Sequence, residues 1–234
     1  MKRVVIFGGG DQARTAYVYL SEDSPHEVVA FTAHDAKDAN QTLMGVRMVP
    51  FTTLEEHYPP DEFAIFIAIG YRRVNRNRAE VFEECVRRGY ELVSYVSSRA
   101  SHTSKLAIGR NCFILENCAI QPFASIGDNV VVSAGSIIGH DCVIGDHCFI
   151  APGVVITGGV TVGPYCFIGA NATLRNGVRI GRECVIGAGA IILKDTKERE
   201  VYLVKGTDPS SISASALSSF VGTHERRRLA RRSS

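Results

Sequence analysis

The sequence lacks any uninterrupted apolar stretch of about 18 residues, so nothing in it reads as a membrane-spanning helix. It also lacks a surplus of either charge. The 26 Lys and Arg stand against 24 Asp and Glu, a formal net charge of +2. Such a balance leaves no basic footprint for nucleic acid. The opening "MKRVVIFGGG" has no cleavable signal pattern, because its apolar run is short and leads into glycines. The expectation is therefore a cytoplasmic protein, whose seven cysteines are candidates for burial or metal ligation rather than disulfides. What is present is ordinary soluble composition, 45% apolar and 21% charged. The 234 residues suffice for one or two domains.

The segment "SIIGHDCVIGDHCFIAPG" holds two histidines, two aspartates and two cysteines, all potential metal ligands. A longer pattern accounts for their spacing. From Ile108 to Ile192 every sixth residue is Ile, Val or Leu, fifteen positions without a break, and glycine follows eight of them. This is the hexapeptide signature of a parallel β-helix. Residues two apart in an extended segment face the same side, so each aliphatic residue and the one two before it point inward. Three hexads close one triangular coil of eighteen residues, and fifteen hexads make about five coils. Six of the seven cysteines (112, 118, 142, 148, 166 and 184) fall on the second inward position. There a free thiol acts as a small hydrophobe. A zinc site built on Cys142 and Cys148 is rejected, and no metal is expected. Cys85 falls in a helical stretch and is read as packing.

Every eighteenth residue stacks on one outer face. Phe113, Val131, Phe149, Phe167 and Val185 form one apolar ladder. Ala119, Ile137, Val155, Thr173 and Ile191 form a second, and the third, with Ser125, Thr161 and Arg179, is more polar. Exposed apolar ladders mark interfaces, so prisms are expected to pack side by side into a homo-oligomer.

The first hundred residues alternate strands with helices. "RVVIFGGG", "HEVVAFTA" and "FAIFIAIG" read as strands, and 12–21 and 74–88 as helices. This pattern indicates a small parallel, Rossmann-like α/β unit. Gly8, Gly10 and Ala13 fit G-x-G-x-x-A, with His34 and Asp35 some twenty residues on. The turn suits a dinucleotide, any other phosphate or anionic group at a helix N-terminus, or a plain tight turn. After the repeats, 202–204 is expected to add a closing strand. The last eleven residues carry five arginines in a solvated tail.

A small α/β domain joined to a hexapeptide prism resembles the bacterial sugar acyltransferases. These include the UDP-4-amino-sugar N-acetyltransferases and the sialic acid O-acetyltransferase-like proteins. The resemblance runs from "VVIFGGGDQA" through "AIGYRRVNR" and "GHDCVIGDHCFIAPG" to "IGAGAIILKDT". It implies an α/β sugar-nucleotide-binding domain over 1–100, a left-handed parallel β-helix acyltransferase domain over 101–206 and a C-terminal extension over 207–234. It further implies a homotrimer, acetyl-CoA as cosubstrate bound between neighbouring prisms, and a sugar or nucleotide-sugar acceptor used in bacterial surface glycan biosynthesis. The family's general base corresponds to His140, with Asp141 as the acidic neighbour that raises its basicity. His140 lies at a corner, outside the inward set, with Gly158 one coil above it. Asp141 reaches the imidazole only if that corner bends. His147 is read as a surface residue.

The resemblance carries cofactor contacts to Phe149, Ala170 and Ala188, and substrate contacts to Gly10, Asp11, Gln12, His34, Asp35 and Gly70. Several of these positions depart from the family pattern. Phe149 replaces a second histidine, and Asp11 and Gln12 replace a glycine and a histidine. Ala33 and His34, followed by Asp35, replace the acidic pair that reads the nucleotide base. Two other readings are weighed. A trimeric zinc hydratase resembling the γ-carbonic anhydrases would draw on His102, His140 and His147. A non-catalytic sugar-binding scaffold would need none of them.

Overall fold

Val4, Val5 and Ile6 are completely buried in Arg3–Phe7 (β1), the strand around which the N-terminal layer forms. The computed structural model describes residues 1–36 and 41–216. After β1 come Asp11–Glu22 (α1), Glu27–Ala33 (β2), Thr42–Leu43 (β3), Val46–Pro50 (β4), Leu54–His57 (α2), Ala64–Ile67 (β5), Arg76–Arg87 (α3) and Glu91–Leu92 (β6). The sheet order is β3-β4-β2-β1-β5-β6. Its pairings are parallel except for the antiparallel β3–β4 hairpin, which the sequence reading did not anticipate. Met44 and Gly45 take φ values of 52° and 77° in its turn. A Met-Gly pair thus stands where Asn-Gly would ordinarily signal such a hairpin. Because β2 and β5 flank β1 on opposite sides, a crevice opens at the carboxyl end of β1.

The hexads fold as expected into a left-handed parallel β-helix of two-residue strands. Its first face stacks Phe113–Ile114, Val131–Val132, Phe149–Ile150, Phe167–Ile168 and Val185–Ile186. Tyr95–Val96 (β7) is added at one end and Val201–Tyr202 at the other, the latter supplying the closing strand. The second face stacks Ala119–Ile120, Ile137–Ile138, Val155–Ile156, Thr173–Leu174 and Ile191–Ile192. The third stacks Ala107–Ile108, Ser125–Ile126, Val143–Ile144, Thr161–Val162 and Arg179–Ile180. The inward positions form one continuous core, from Cys112 to Ile192, in which no residue exceeds 5% exposure. Each buried aliphatic contributes roughly 1.5–3 kcal/mol before chain entropy. The six prism cysteines are buried and unpaired. Their thiols donate to carbonyls inside the prism, as Cys142 Sγ does to Thr157 O (3.1 Å) and Cys148 Sγ to Gly163 O (3.2 Å). Cys85 is fully buried on α3, and burial pushes its thiol up to about 12.

One outer ladder does not behave as the sequence implies. Phe113, Val131 and Phe149 are covered by the chain's own sheet and α1, in a cluster with Val4, Ile6, Leu20 and Phe66. That part of the apolar face is an internal junction within the chain. The second face keeps exposed apolar side chains, Ile137 at 40% and Ile191 at 67%. The opposite side of the sheet packs against α3 and the segment from Phe51 to Leu54. Met1–Val204 form one unit, and the described residues from Lys205 to Ala216 lie outside it. The arginine-rich tail, residues 224–234, lies outside the described residues. Among the described residues no helix is long and apolar enough to cross a membrane.

Candidate active site

Each hexad ends in a turn, and the second turn residue repeatedly takes a left-handed conformation, as at Asn111, Asn129, Asp141, His147 and Asn171. Asp141, at φ 56°, stands on the corner between the second and third faces. The bend that the sequence reading required is therefore present. It turns the Asp141 carboxylate back toward its neighbour, and His140 Nδ1 lies 2.8 Å from Asp141 Oδ2. With the carboxylate as acceptor, the neutral imidazole donates from Nδ1 and presents the Nε2 lone pair. The backbone holds the corner in place. His140 N donates to Gln121 Oε1 (3.0 Å), Gly159 N donates to His140 O (2.8 Å), and Asp141 N donates to Pro122 O (3.2 Å).

The imidazole lies over Gly158, one coil on. A Cβ built on that glycine would sit 2.4 Å from His140 Nε2 and 2.6 Å from Cε1. Both side chains of the dyad remain open, at 59% and 61% exposure. The arrangement can take a proton at Nε2 from a group that reaches the corner, with Asp141 stabilising the imidazolium that results.

The N-terminal positions gather at the carboxyl end of the sheet. Gly8 takes φ 145°, and a Cβ there would meet Ala68 O at 2.5 Å, so a side chain is excluded where the ends of β1 and β5 come together. Gly10 caps α1, with Asp11 and Gln12 in its first turn. The side chain of Asp11 is fully exposed. His34 packs edge-on to Phe7 and Phe51, each at 5.2 Å between centroids, and Asp35 is exposed beside it. Gly70 lies beyond β5, its carbonyl accepting from Arg78 Nη1 (3.4 Å). A cleft of about 430 Å³ adjoins this edge, lined by Phe7, His34, Arg73, Asn77, Glu80 and Glu84 among others. The fold thus brings Gly10, Asp11, Gln12, His34, Asp35 and Gly70 to one edge. It does not bring them to the chain's own dyad. The α/β layer covers the first face, whereas His140 and Asp141 stand on the corner shared by the other two.

One residue requires correction. His147 is not a surface residue but 6% exposed, its Nδ1 2.9 Å from Asn129 Nδ2 and its ring 4.7 Å from that of Tyr165. Burial lowers its pKa below the usual histidine value. Phe149 is 5% exposed, stacked at 5.8 Å on Phe167 and edge-on at 5.0 Å to Tyr71. Its ring therefore serves the junction, and the accessible aromatic at that spot is Tyr71. Ala170 and Ala188 occupy the corner between the first and second faces with Ala134 and Pro152, while Glu116 holds that position in the first coil. The hydratase reading needs its three histidines to converge across an interface between chains, and within this one they stand apart. His140 is on one corner, His147 is buried on another, and exposed His102 precedes the first hexad strand.

Residues that the sequence reading missed cluster between α3 and the prism. Arg78 is completely buried, and Nη2 donates to His147 O (3.0 Å) and Cys148 O (3.1 Å). Burial pulls its guanidinium down to about 10, still charged at neutral pH. An arginine at the third position of a helix gives no sequence signal of such a role.

The bacterial transferase hexapeptide family (six repeats) matches residues 107–140, 123–158 and 159–194. Among solved structures, a histidine-to-asparagine variant of perosamine N-acetyltransferase from Caulobacter crescentus, in complex with CoA and GDP-perosamine, is 26% identical. The match covers 88% of this chain and 98% of that one, with a TM-score of 0.79. The repeat of that family therefore builds the prism of this chain, residues 107–194. The likeness to bacterial sugar acyltransferases read from the sequence is thus recovered in three dimensions, across both the α/β layer and the prism. Two further structures share the fold. The acetyltransferase domain of PglB from Neisseria gonorrhoeae, in complex with acetyl coenzyme A, is 22% identical, with 89% and 99% of the two chains covered and a TM-score of 0.75. WeeI from Acinetobacter baumannii is 20% identical, with 86% and 96% covered and a TM-score of 0.73. No curated protein sequence matches the chain.

Proposed function

We propose that this acyltransferase moves an acetyl group from acetyl-CoA to the amino group of a nucleotide-linked sugar in bacterial surface glycan biosynthesis. His140 serves as general base, oriented by Asp141. The observation that carries the reading is the 2.8 Å His140–Asp141 pair on an open corner above Gly158. A similar structure, perosamine N-acetyltransferase, is described with CoA and GDP-perosamine bound, which favours an amine over a hydroxyl acceptor.

Acetyl-CoA supplies an activated thioester carbonyl. The sugar amine attacks that carbonyl while His140 Nε2 takes one of its protons, and the same proton passes to the departing sulfur as the amide forms and free thiol leaves. A general base of this kind contributes roughly 10²–10⁴ in rate. The remainder comes from positioning. The corner of Ala134, Pro152, Ala170 and Ala188 is narrow-sided and suits a long, thin thioester lying along the prism, with Ala170 and Ala188 as its backbone contacts.

The edge at Gly10, Asp11, Gln12, His34, Asp35 and Gly70 suits the nucleotide sugar, its diphosphate at the N-terminus of α1. On this reading residues 1–100 bind the sugar nucleotide, 101–206 perform acyl transfer and 207–234 form an extension. The protein acts as a cytoplasmic homotrimer. Two features support assembly: the uncovered apolar side chains of the second face, and the separation of the dyad from the chain's own sugar-nucleotide edge.

Release of free thiol from acetyl-CoA, followed against GDP-, UDP- and dTDP-linked 4-amino sugars, tests the reading. Wild type is expected to turn over at least one of them. His140→Ala is expected to lose at least about 10²-fold in kcat with an unchanged melting temperature. Silence across the panel would refute the transferase assignment, and an unimpaired His140→Ala would refute the base.

A further inference from the structure

Between β5 and α3 the chain makes a costly turn. Arg73, Val74 and Asn75 take φ values of 54°, 50° and 65°, three successive left-handed residues without a glycine. That region is unfavourable for any side chain and most so for a β-branched one such as Val74. The surrounding structure holds the turn in this shape. Asn75 N donates to Tyr71 O (3.1 Å), and Asn75 Nδ2 donates to Cys166 O (3.0 Å) on the prism. The buried Arg78 donates at once to Gly70 O, to Asn75 Oδ1 (3.1 Å) and to His147 O (3.0 Å) and Cys148 O (3.1 Å) on the prism. Backbone strain kept by this many bonds collects where a protein presents something.

What the turn presents is Tyr71. Its ring rests on Phe149 (5.0 Å) and Phe167 (4.6 Å), yet the residue is 52% exposed. It follows Gly70 directly, at the same edge as the Gly8–Gly10 turn, and it touches the first face of the prism. It therefore stands between the N-terminus of α1 and the β-helix. A rigid aromatic face at that place suits the apolar C–H face of a pyranose, with the phenol edge left to water.

We propose that Tyr71 is the platform for the acceptor sugar, its ring packing against a continuous C–H face of a pyranose carried on a nucleoside diphosphate. This rests on the sugar-nucleotide reading above, but the test separates the two. Calorimetry on the full-length wild type, Tyr71→Ala and Tyr71→Phe compares a nucleoside diphosphate with its 4-amino-6-deoxyhexose conjugate, using the nucleotide accepted in the thiol-release panel or, failing turnover, each of GDP, UDP and dTDP.

The sugar conjugate is expected to bind wild type more tightly than the bare diphosphate. Tyr71→Ala should weaken the conjugate roughly tenfold and leave the diphosphate unchanged, and Tyr71→Phe should restore wild-type binding. In turnover, Tyr71→Ala should raise KM for the sugar nucleotide but not for acetyl-CoA. The platform is overturned if the conjugate binds wild type no better than the diphosphate, if Tyr71→Ala weakens both equally, or if Tyr71→Phe fails as Tyr71→Ala does. Absence of acetyl transfer in wild type, with differential binding intact, would instead overturn the reading of the reaction.

Discussion

Gly158→Ala separates catalysis from stability by a single methyl group. The glycine does not need left-handed backbone, since positive φ occurs at its neighbour Gly159 (71°) and not at 158. Alanine is therefore compatible with the local chain and should stabilise by about 0.4–1 kcal/mol through the unfolded state. The new Cβ would lie 2.4 Å from His140 Nε2 and 2.9 Å from Cδ2. The ring must then move by about 1 Å to recover ordinary van der Waals separation. It can do so cheaply, because the side chain is 59% exposed and the obstacle is its own tip. A displacement of that size at a reacting group costs about 10²-fold in rate, equivalent to about 2.7 kcal/mol in the barrier. Thermal melts and thiol release on the same preparation should show stability equal to or above wild type beside a turnover lower by about two orders of magnitude. Gly139→Ala is the contrast, since its Cβ would strike backbone, Gly158 N at 2.6 Å, and should destabilise the prism itself. Unchanged turnover in Gly158→Ala would refute the role of the ring in this pose, and a lowered melting temperature would refute the assumption that only the ring must yield.

Buried His147 should make the protein acid-sensitive. Its folded pKa is depressed, chiefly by burial, below the unfolded value of about 6.5. The stability linked to its neutral form is therefore present above about pH 6.5 and is lost as pH falls through the folded value. His147→Gln should flatten the decline in melting temperature between pH 7 and pH 5, and an unchanged slope would count against the linkage. Ile150 is 0% exposed in the prism core, so Ile150→Ala should cost about 2–5 kcal/mol in urea unfolding. A cost under about 1 kcal/mol would mean the coil collapses to fill the space. All seven cysteines are buried, so a maleimide reagent should leave the native protein unmodified and label seven sites after denaturation.

The hexad spacing by itself determined the prism, its inward positions and the placement of Cys112, Cys118, Cys142, Cys148, Cys166 and Cys184. Alternation along extended chain is a local property, and fifteen repetitions leave no competing register. It also placed His140 outside the core with Gly158 above it, and the glycine turn ahead of α1. Only the tertiary structure decided which apolar ladder would be covered by the chain's own α/β layer, because two ladders of similar composition present the same pattern along the sequence. It also decided that Asp141 bends back onto His140, since the reversal rests on a left-handed φ of 56° that aspartate permits but does not announce. The burial of His147 and Arg78, and the exposure of Tyr71 on two phenylalanines, depend on packing between segments some seventy to ninety-five residues apart in the chain. Contacts of that range leave no periodic trace, because each is made once.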